Sequence, residues 1–219
     1  MAEHTHAAGH AAGHGPHDHG PFQPDHPEPT GYYERMGVAL NELLIEKGVY
    51  GADELRAMIE TVEAVDPRTH GARVVARAWA NPDFKRRLVE DAAAAVREFG
   101  LDPGHAELTA LENTPELHNV VVCTLCSCYP RWLLGRPPAW YKSAAYRARV
   151  VREPRRVLSE FGLDLPDDVE VRVHDSNAEL RYIVVPMRPA GTEGWSEDAL
   201  ADLVSRDSMI GVAQPQPPA

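Results

Sequence analysis

The sequence predicts an α+β fold in which an N-terminal helical arm precedes a layered α/β domain. Three observations support this fold class. Apolar residues recur at helical spacing through residues 31–66. Residues 67–219 then mix helix-like segments with short stretches that suggest strands, of which Val169–Val173 alternates apolar and polar residues. All three cysteines follow one of these stretches directly, which places a candidate metal loop after a strand.

Residues 1–30 are rich in histidine and poor in apolar side chains. They contain seven of the eleven histidines, which are His4, His6, His10, His14, His17, His19 and His26. A segment with so little apolar surface cannot form a core, so we predict a disordered tail. It has neither the apolar stretch nor the basic start of a secretory signal. The histidines either have no function or collect divalent metal loosely, and their dispersion argues against an engineered tag.

Residues 31–66 are predicted to form a pair of helices. The apolar stripe within Leu40–Ile45 belongs to the first helix, and Gly48 and Gly51 interrupt it. Asp53 is the predicted N-cap of the second helix. Because such a pair has an apolar face that it cannot bury alone, we expect an arm that packs on a partner chain. The alternative is that the arm folds back onto its own domain.

Residues 67–219 are predicted to form the metal-binding catalytic domain, with helices flanking sheet. The predicted helices are one that contains Val74, Val75 and Trp79, one capped by Asn81 that runs towards Gly100, one over Tyr146–Phe161 that Pro154 kinks or splits, and a last one capped by Ser196 that contains Leu200, Leu203 and Val204. The predicted strands are Leu108–Glu112, Asn119–Val122, Val169–Val173 and Arg181–Val185. The Pro-rich end, Gln214–Ala219, is expected to be loose.

The cysteine loop, Cys123–Cys128, contains every cysteine of the chain, and this odd, crowded set does not fit a disulfide framework. The thiolates of Cys126 and Cys128 and the amide nitrogens of Ser127 and Cys128 can bind one face of a metal ion. Cys123 can add a third sulfur, which leaves an octahedral ion one open position. Sulfur and ionised amide donors favour low-spin trivalent cobalt or iron over zinc, magnesium or calcium. Such an ion acidifies bound water or polarises a substrate.

Some nearby residues permit other interpretations. His118 would complete a Cys3His zinc site, but a Cys-Ser-Cys segment is not a usual zinc pattern. Tyr129 follows the cysteine loop and either donates a hydrogen bond near the open metal position or only packs beside the loop. His174 and Asp175 are interpreted as ordinary turn residues, since nothing indicates a hydrolase triad.

The cysteine loop, read as C-T-L-C-S-C and followed by Tyr129-Pro130, resembles the metal-binding segment of the nitrile hydratase alpha subunit. The resemblance runs from about residue 32 to the C-terminus. It includes Leu43–Gly48, Asn119–Val122, Gly135, Pro137-Pro138, Trp140–Lys142, Tyr146–Arg155, Arg181-Tyr182 and Arg188–Trp195. A pattern of this length is far more specific than a short C-x-x-C.

The resemblance implies a metal ligand set of Cys123, Cys126, Ser127 and Cys128, with the last two supplying amide nitrogens. It implies that Cys123 stays a thiolate, that Cys126 becomes a sulfinic acid and that Cys128 becomes a sulfenic acid. The catalytic residues are then predicted to be Cys128, Ser127 and Tyr129. Thr124 is typical of the cobalt-type variant, so the expected cofactor is non-corrin Co(III), with Fe(III) as the alternative.

The implied activity is that of a lyase that hydrates a small nitrile to an amide and works only with its beta subunit. An alpha2-beta2 heterotetramer is expected, and an activator or metallochaperone is a further candidate partner. The net charge of −11 argues against nucleic-acid binding. No apolar run is long enough to span a membrane, and unpaired cysteines suit the cytoplasm.

The chain departs from the cobalt-type pattern at two places. Arg131 follows Tyr129-Pro130, where cobalt-type members usually carry tryptophan, and this resembles the catalytic chain of thiocyanate hydrolase. The stretch Gly104–Glu107 lacks the glutamine that the family tends to carry. A thiocyanate hydrolase subunit is therefore the enzymatic alternative. A non-catalytic metal-binding or metal-delivery protein, suggested by the histidines and the cysteine loop, is the other.

Overall fold

The computed structural model describes residues 31–66 and 70–215, except for the side chains of Val62 and Glu63. The predicted disordered tail of residues 1–30 and most of the Pro-rich end lie outside the described residues. Eleven helices and four strands occur in the described part: α1 Tyr32–Glu46, α2 Ala52–Glu63, α3 Gly71–Ala80, α4 Pro82–Glu90, α5 Ala92–Arg97, β1 Glu107–Glu112, β2 Leu117–Val122, α6 Arg131–Leu134, α7 Ala139–Lys142, α8 Ala144–Arg149, α9 Pro154–Glu160, β3 Glu170–Asp175, β4 Leu180–Val185, α10 Glu197–Ala201 and α11 Arg206–Ile210.

The four strands form two parallel pairs, and this mixture of helix and sheet confirms the predicted α+β class. Strand β1 pairs with β4, with Ala110 opposite Ile183. Strand β2 pairs with β3, with Val120 opposite Val173. A parallel partner requires a long crossover connection, and helices α6 to α9 provide it between β2 and β3. The cysteine loop begins this crossover, directly after β2.

Helices pack on both strand pairs and close a single apolar core over the described domain. Helices α4 and α5 contact β1, α11 contacts β4 and β2, and α9 contacts β3. The largest fully buried side chains include Phe84, Leu133, Tyr141, Leu158 and Ile183. The core therefore surrounds the strand end from which the cysteine loop emerges.

Two helix predictions are wrong at their ends. Helix α2 begins at Ala52 after Gly51, whose N–H lies 3.4 Å from the Glu54 carboxylate. Asp53 therefore lies in the first turn, where its charge suits the helix dipole, instead of at the N-cap. The helix expected to run towards Gly100 is broken at Asp91, because the Asp91 carboxylate accepts the Ala94 N–H at 2.8 Å and starts a new helix.

The other predicted helices divide as the local sequence requires. Pro154 splits the segment after Tyr146, so that α8 ends before α9 begins at the proline. Ser196 caps α10 as predicted, its hydroxyl accepting from the Ala199 N–H at 3.3 Å. The helix ends at Ala201, however, because Ser205 caps a separate helix, α11.

The N-terminal helices leave their apolar side chains at the surface of the chain. Helix α1 contains no buried residue. The exposed apolar side chains of the two helices are Tyr32, Tyr33, Met36, Val38, Leu40, Leu43, Met58 and Ile59. None of the helices in the described ranges combines the length and the hydropathy that a membrane crossing requires.

Candidate metal centre

Strand β2 delivers the cysteine loop from the core to the surface. Val120 and Val122 are fully buried, and Cys123 directly after them is also fully buried. In the β2–β3 register Val122 lies opposite Asp175, so the loop starts beside the end of β3. Burial then decreases to Cys126, which is exposed, and increases again at Cys128, which is half-buried.

The three cysteine sulfurs converge on one point. The Sγ atoms of Cys123 and Cys126 are 3.6 Å apart, and those of Cys126 and Cys128 are 3.4 Å apart. All three Sγ atoms lie within 4.8 Å of one another, and in the described residues no other group of His, Cys, Asp or Glu converges in this way. The Cys126 N–H also points at the Cys123 sulfur, at 3.3 Å. Soft donors at this spacing fit one thiophilic metal ion.

The thiols of Cys126 and Cys128 share their protons unequally in the chain without metal. The hydrogen bond from the Cys128 thiol lowers the pKa of Cys126 to about 7, with the Ser127 backbone N–H adding to the effect. Burial raises the pKa of Cys128 to about 12, its hydrogen bond to Cys126 adds to this, and the Arg181 guanidinium opposes it. Of these two thiols, Cys126 therefore carries a negative charge more readily than Cys128.

Three side chains from the surrounding elements hold the backbone of the cysteine loop. The Asp175 carboxylate accepts from the Thr124 N–H at 2.9 Å and from the Thr124 hydroxyl at 2.5 Å. Arg147 Nη1 donates to the carbonyl oxygens of Thr124 and Leu125, at 3.1 and 3.0 Å. At the other end, the Tyr141 hydroxyl donates to the Cys128 carbonyl at 3.0 Å. The loop is thus tied to β3, α8 and α7.

A polar pocket of about 440 Å³ opens beside Cys126, Ser127 and Cys128. Its other walls carry basic and aromatic side chains, namely His105, Tyr129, Arg131, Trp132 and Arg181, together with Pro103 and Ala106. The guanidinium groups stand in the same pocket as the two accessible sulfurs. This pocket suits a small polar or anionic molecule that approaches the sulfurs.

The hydroxyl of Tyr129 does not point at the cysteine sulfurs. It donates to the Leu134 carbonyl at 3.2 Å, and the ring packs edge-on against Tyr141 with 5.2 Å between ring centroids. Tyr141 is the tyrosine whose hydroxyl contacts the loop. The catalytic roles of Tyr129, Ser127 and Cys128 stay predictions.

His118 lies in a separate buried network and does not complete a zinc site. Its Nε2 bonds to the Gly211 carbonyl at 2.7 Å, and its Nδ1 lies 3.2 Å from the Asn113 amide. The Asn113 amide oxygen accepts from the N–H and the side chain of Asn119, so its nitrogen faces the histidine and Nδ1 must accept. This fixes neutral His118 with its proton on Nε2, and burial lowers its pKa accordingly.

Sequence reasoning missed the residues that hold the loop. His174 and Asp175 are strand residues of β3, not turn residues, and Asp175 contacts the loop directly. Parallel pairing of the two valine-rich strands is the signal that could have found Asp175, because it places the ends of β2 and β3 side by side. The family resemblance covers Tyr141 and Arg147 but gives them no role, since their contacts depend on how α7 and α8 pack.

Comparison with known proteins gives consistent matches. The family described as "Nitrile hydratase, alpha chain" matches residues 32–213. The low-molecular weight cobalt-containing nitrile hydratase subunit alpha of Rhodococcus rhodochrous is 50% identical over 202 residues, which cover 91% of this chain and 97% of that protein. The thiocyanate hydrolase subunit gamma of Thiobacillus thioparus is 47% identical over 197 residues, covering 84% of this chain and 81% of that protein.

A solved structure of a double mutant of the Fe-type nitrile hydratase from Comamonas testosteroni Ni1 has the same fold. Its TM-score to this chain is 0.78 at 43% sequence identity, and the match covers 85% of this chain and 91% of that one. Cobalt-containing and iron-containing proteins are therefore both among the relatives.

Proposed function

Because the chain belongs to the family of nitrile hydratase alpha chains, we propose that it is the metal-binding subunit of a cobalt-type nitrile hydratase. The reaction adds water to a small nitrile and gives an amide. The observation that carries the proposal is the convergence of the three sulfurs beside an open pocket, in a loop that the domain holds by its backbone.

In this proposal Cys123, Cys126 and Cys128 supply sulfur, and Ser127 and Cys128 supply amide nitrogens. The cofactor is non-corrin Co(III), with Fe(III) as the alternative that the Fe-type neighbour keeps open. When bound, such an ion provides a Lewis acid that activates water or a nitrile. Buried Cys123 anchors the site, while Cys128 at the pocket places an oxygen or sulfur atom where it can take a proton or attack the nitrile carbon.

The exposure of the three cysteines supports the proposed oxidation pattern. Cys123 is buried and would remain a thiolate, whereas Cys126 is exposed and Cys128 is half-buried. Exposure to the oxidant is one determinant of oxidation, so Cys126 would take two oxygen atoms and Cys128 would take one. An oxidant such as dioxygen must supply these atoms.

Thiocyanate hydrolysis is a second candidate because of the side chains in the pocket. Arg131 and Arg181 both line it beside the sulfurs, and a cationic wall favours an anionic substrate such as thiocyanate over a neutral nitrile. The thiocyanate hydrolase relative at 47% identity supports the same alternative. Substitution Arg131→Gln should therefore lower turnover of thiocyanate more than turnover of a neutral nitrile.

We propose that a beta subunit packs against the N-terminal helical arm and covers the pocket. The exposed apolar side chains of α1 and α2 form a face that needs a cover in water. Leu125 at the tip of the cysteine loop is 82% exposed, beside exposed Cys126. A beta subunit in an alpha2-beta2 assembly would bury these surfaces and exclude water from the pocket, and we propose that the assembly works in the cytoplasm.

Metal analysis of the co-purified complex, together with two activity assays, tests the proposal. We expect one cobalt per chain, amide release from a simple nitrile and three added oxygen atoms by intact mass. Carbonyl sulfide release from thiocyanate without amide release would favour the second candidate. A complex that holds exchangeable metal and unoxidised cysteines, with neither activity, would instead indicate a metal-delivery protein. Zinc as the bound metal would refute the proposed chemistry.

A further inference from the structure

We propose that Arg147 is the positioning residue that sets the turn of the cysteine loop and so keeps Cys126 aligned with Cys123. The inference rests on the proposed function in that the aligned sulfurs are taken to bind the metal. It gives a role to a residue of α8 that lies outside the cysteine loop and outside the pocket wall.

The guanidinium of Arg147 bridges two consecutive peptide units. Its Nη1 donates to the carbonyl oxygens of Thr124 and Leu125, at 3.1 and 3.0 Å. Its Nε donates to the Lys142 carbonyl at 3.2 Å, so the guanidinium is itself held against the end of α7. Two carbonyls that converge on one nitrogen fix the direction in which the backbone turns towards Cys126.

The loop has few other means of holding this turn. Leu125 is 82% exposed and Cys126 is exposed, so neither side chain is fixed by packing within the described chain. The Thr124 backbone N–H and hydroxyl are already held by Asp175. Arg147 donates to the remaining polar group of Thr124, its carbonyl oxygen, and to the carbonyl oxygen of Leu125. Within the loop, the Cys126 N–H donates to the Cys123 sulfur at 3.3 Å. From outside the loop, Arg147 holds the carbonyls of the same turn, so it helps to set the position of the Cys126 sulfur relative to the Cys123 sulfur.

The backbone that carries Arg147 is firmly placed. The neighbouring Tyr146 is buried, its hydroxyl donates to the Val121 carbonyl at 2.8 Å, and its ring packs on Trp140 with 4.8 Å between centroids. The Arg147 N–H donates to the Ser143 carbonyl at 3.1 Å, which closes the first turn of α8. Strand β2 and the aromatic core thus fix the point from which the guanidinium reaches the loop.

A lysine cannot replace this contact fully. The ammonium group of lysine can donate to both loop carbonyls, because they converge on one nitrogen, but it lacks the separate Nε with which the guanidinium also binds the Lys142 carbonyl. Alanine would leave both loop carbonyls to water. Because these carbonyls are near the surface, water can satisfy them, so the main loss is in loop geometry and not in overall stability.

The test compares Arg147→Ala and Arg147→Lys with wild type in the complex as it is purified. Arg152→Ala is the matched control, since exposed Arg152 lies nearby and its Nε donates only to the Ala148 carbonyl, away from the loop. The readouts are metal content, the rate of metal release to a chelator, the sulfur-to-metal absorption bands and the melting temperature.

We expect Arg147→Ala to release metal roughly 10- to 100-fold faster than wild type, as is typical when a residue that orients metal ligands is lost. Its absorption bands should shift, Arg147→Lys should lie between the two, and Arg152→Ala should match wild type. Wild-type release and absorption in Arg147→Ala, or equal effects in Arg152→Ala, would overturn the inference. If Arg147→Ala does not fold, unchanged release and absorption in Arg147→Lys would overturn it equally. Wild type that holds neither cobalt nor iron would contradict the proposed function itself.

Discussion

Replacement of Tyr141 by phenylalanine would remove one hydrogen bond from the cysteine loop while keeping the packing around it. The hydroxyl donates to the Cys128 carbonyl at 3.0 Å, and the fully buried ring packs against Tyr129 and Trp140. A net intramolecular hydrogen bond is worth about 0.5–1.5 kcal/mol, and more where a buried acceptor is left unpaired. This hydrogen bond is only partly buried, so we take the middle of that range. We therefore expect a loss of about 1 kcal/mol, or roughly 2–4 °C in Tm.

The matched control is Tyr146→Phe, which removes an equivalent hydroxyl that contacts β2 and not the cysteine loop itself. Tyr146 donates to the Val121 carbonyl at 2.8 Å, and its ring belongs to the same aromatic cluster. Both variants should lose similar stability. Tyr141→Phe should weaken the metal site more than Tyr146→Phe, with about a tenfold lower kcat for nitrile hydration and faster metal loss.

Three measurements decide the comparison: kcat on a simple nitrile, metal retained per chain after dialysis, and thermal unfolding. The reasoning fails if Tyr141→Phe keeps wild-type kcat and metal while losing stability. It fails equally if Tyr146→Phe loses as much activity as Tyr141→Phe, because the effect would then follow stability and not loop geometry.

Three further predictions follow from individual contacts. Burial lowers the pKa of His118 below its ordinary 6.5, so the unfolded chain binds this proton more readily and the free energy of unfolding should fall as pH drops below about 6.5. Denaturant titrations across pH should show a shallower fall in His118→Gln than in wild type. Some fall should remain in that variant, because the pKa of His174 is lowered in the same direction. Gly211→Ala should cost about 3 kcal/mol or more, since φ is +92° and the new Cβ would lie 2.0 Å from the Asn119 carbonyl oxygen; a Tm close to wild type would contradict this. Cys123→Ala should abolish metal retention in elemental analysis, and cobalt kept in that variant would contradict the ligand set.

The periodic parts of the fold were predictable from the sequence, whereas the helix ends were not. Each of the four predicted strands is confirmed to within two residues, because short runs rich in valine, isoleucine and leucine are a strong local signal and Val169–Val173 also alternates. The helix breaks at Asp91 because its carboxylate accepts the Ala94 N–H, and the spacing of the apolar residues does not predict this contact. The same is true of Ser205, which starts α11 where the pattern alone would continue α10.

The sulfur ligands of the candidate site were predictable, but their supports were not. Cys123, Cys126 and Cys128 lie within six residues, so one turn of the loop is enough to bring their sulfurs together. Asp175 is 51 residues from Thr124 in sequence, so its contact with the loop becomes visible only when β2 and β3 are paired. The contact of Tyr141 with the loop likewise depends on tertiary packing, which leaves no periodic trace in the sequence.

The unequal support of the cysteine loop gives a physical reason for the beta subunit that we propose. The inner side of the loop is held by hydrogen bonds to side chains of this chain, whereas its outer side presents Leu125 and Cys126 to solvent. Fixed charges act far more strongly on a reaction in a site from which water is excluded. In the proposed assembly this chain would hold the metal ligands in place, and the partner would cover the pocket and supply the dry environment in which Arg131 and Arg181 act. The proposal therefore requires that the lone chain retains metal and that only the complex hydrates nitriles.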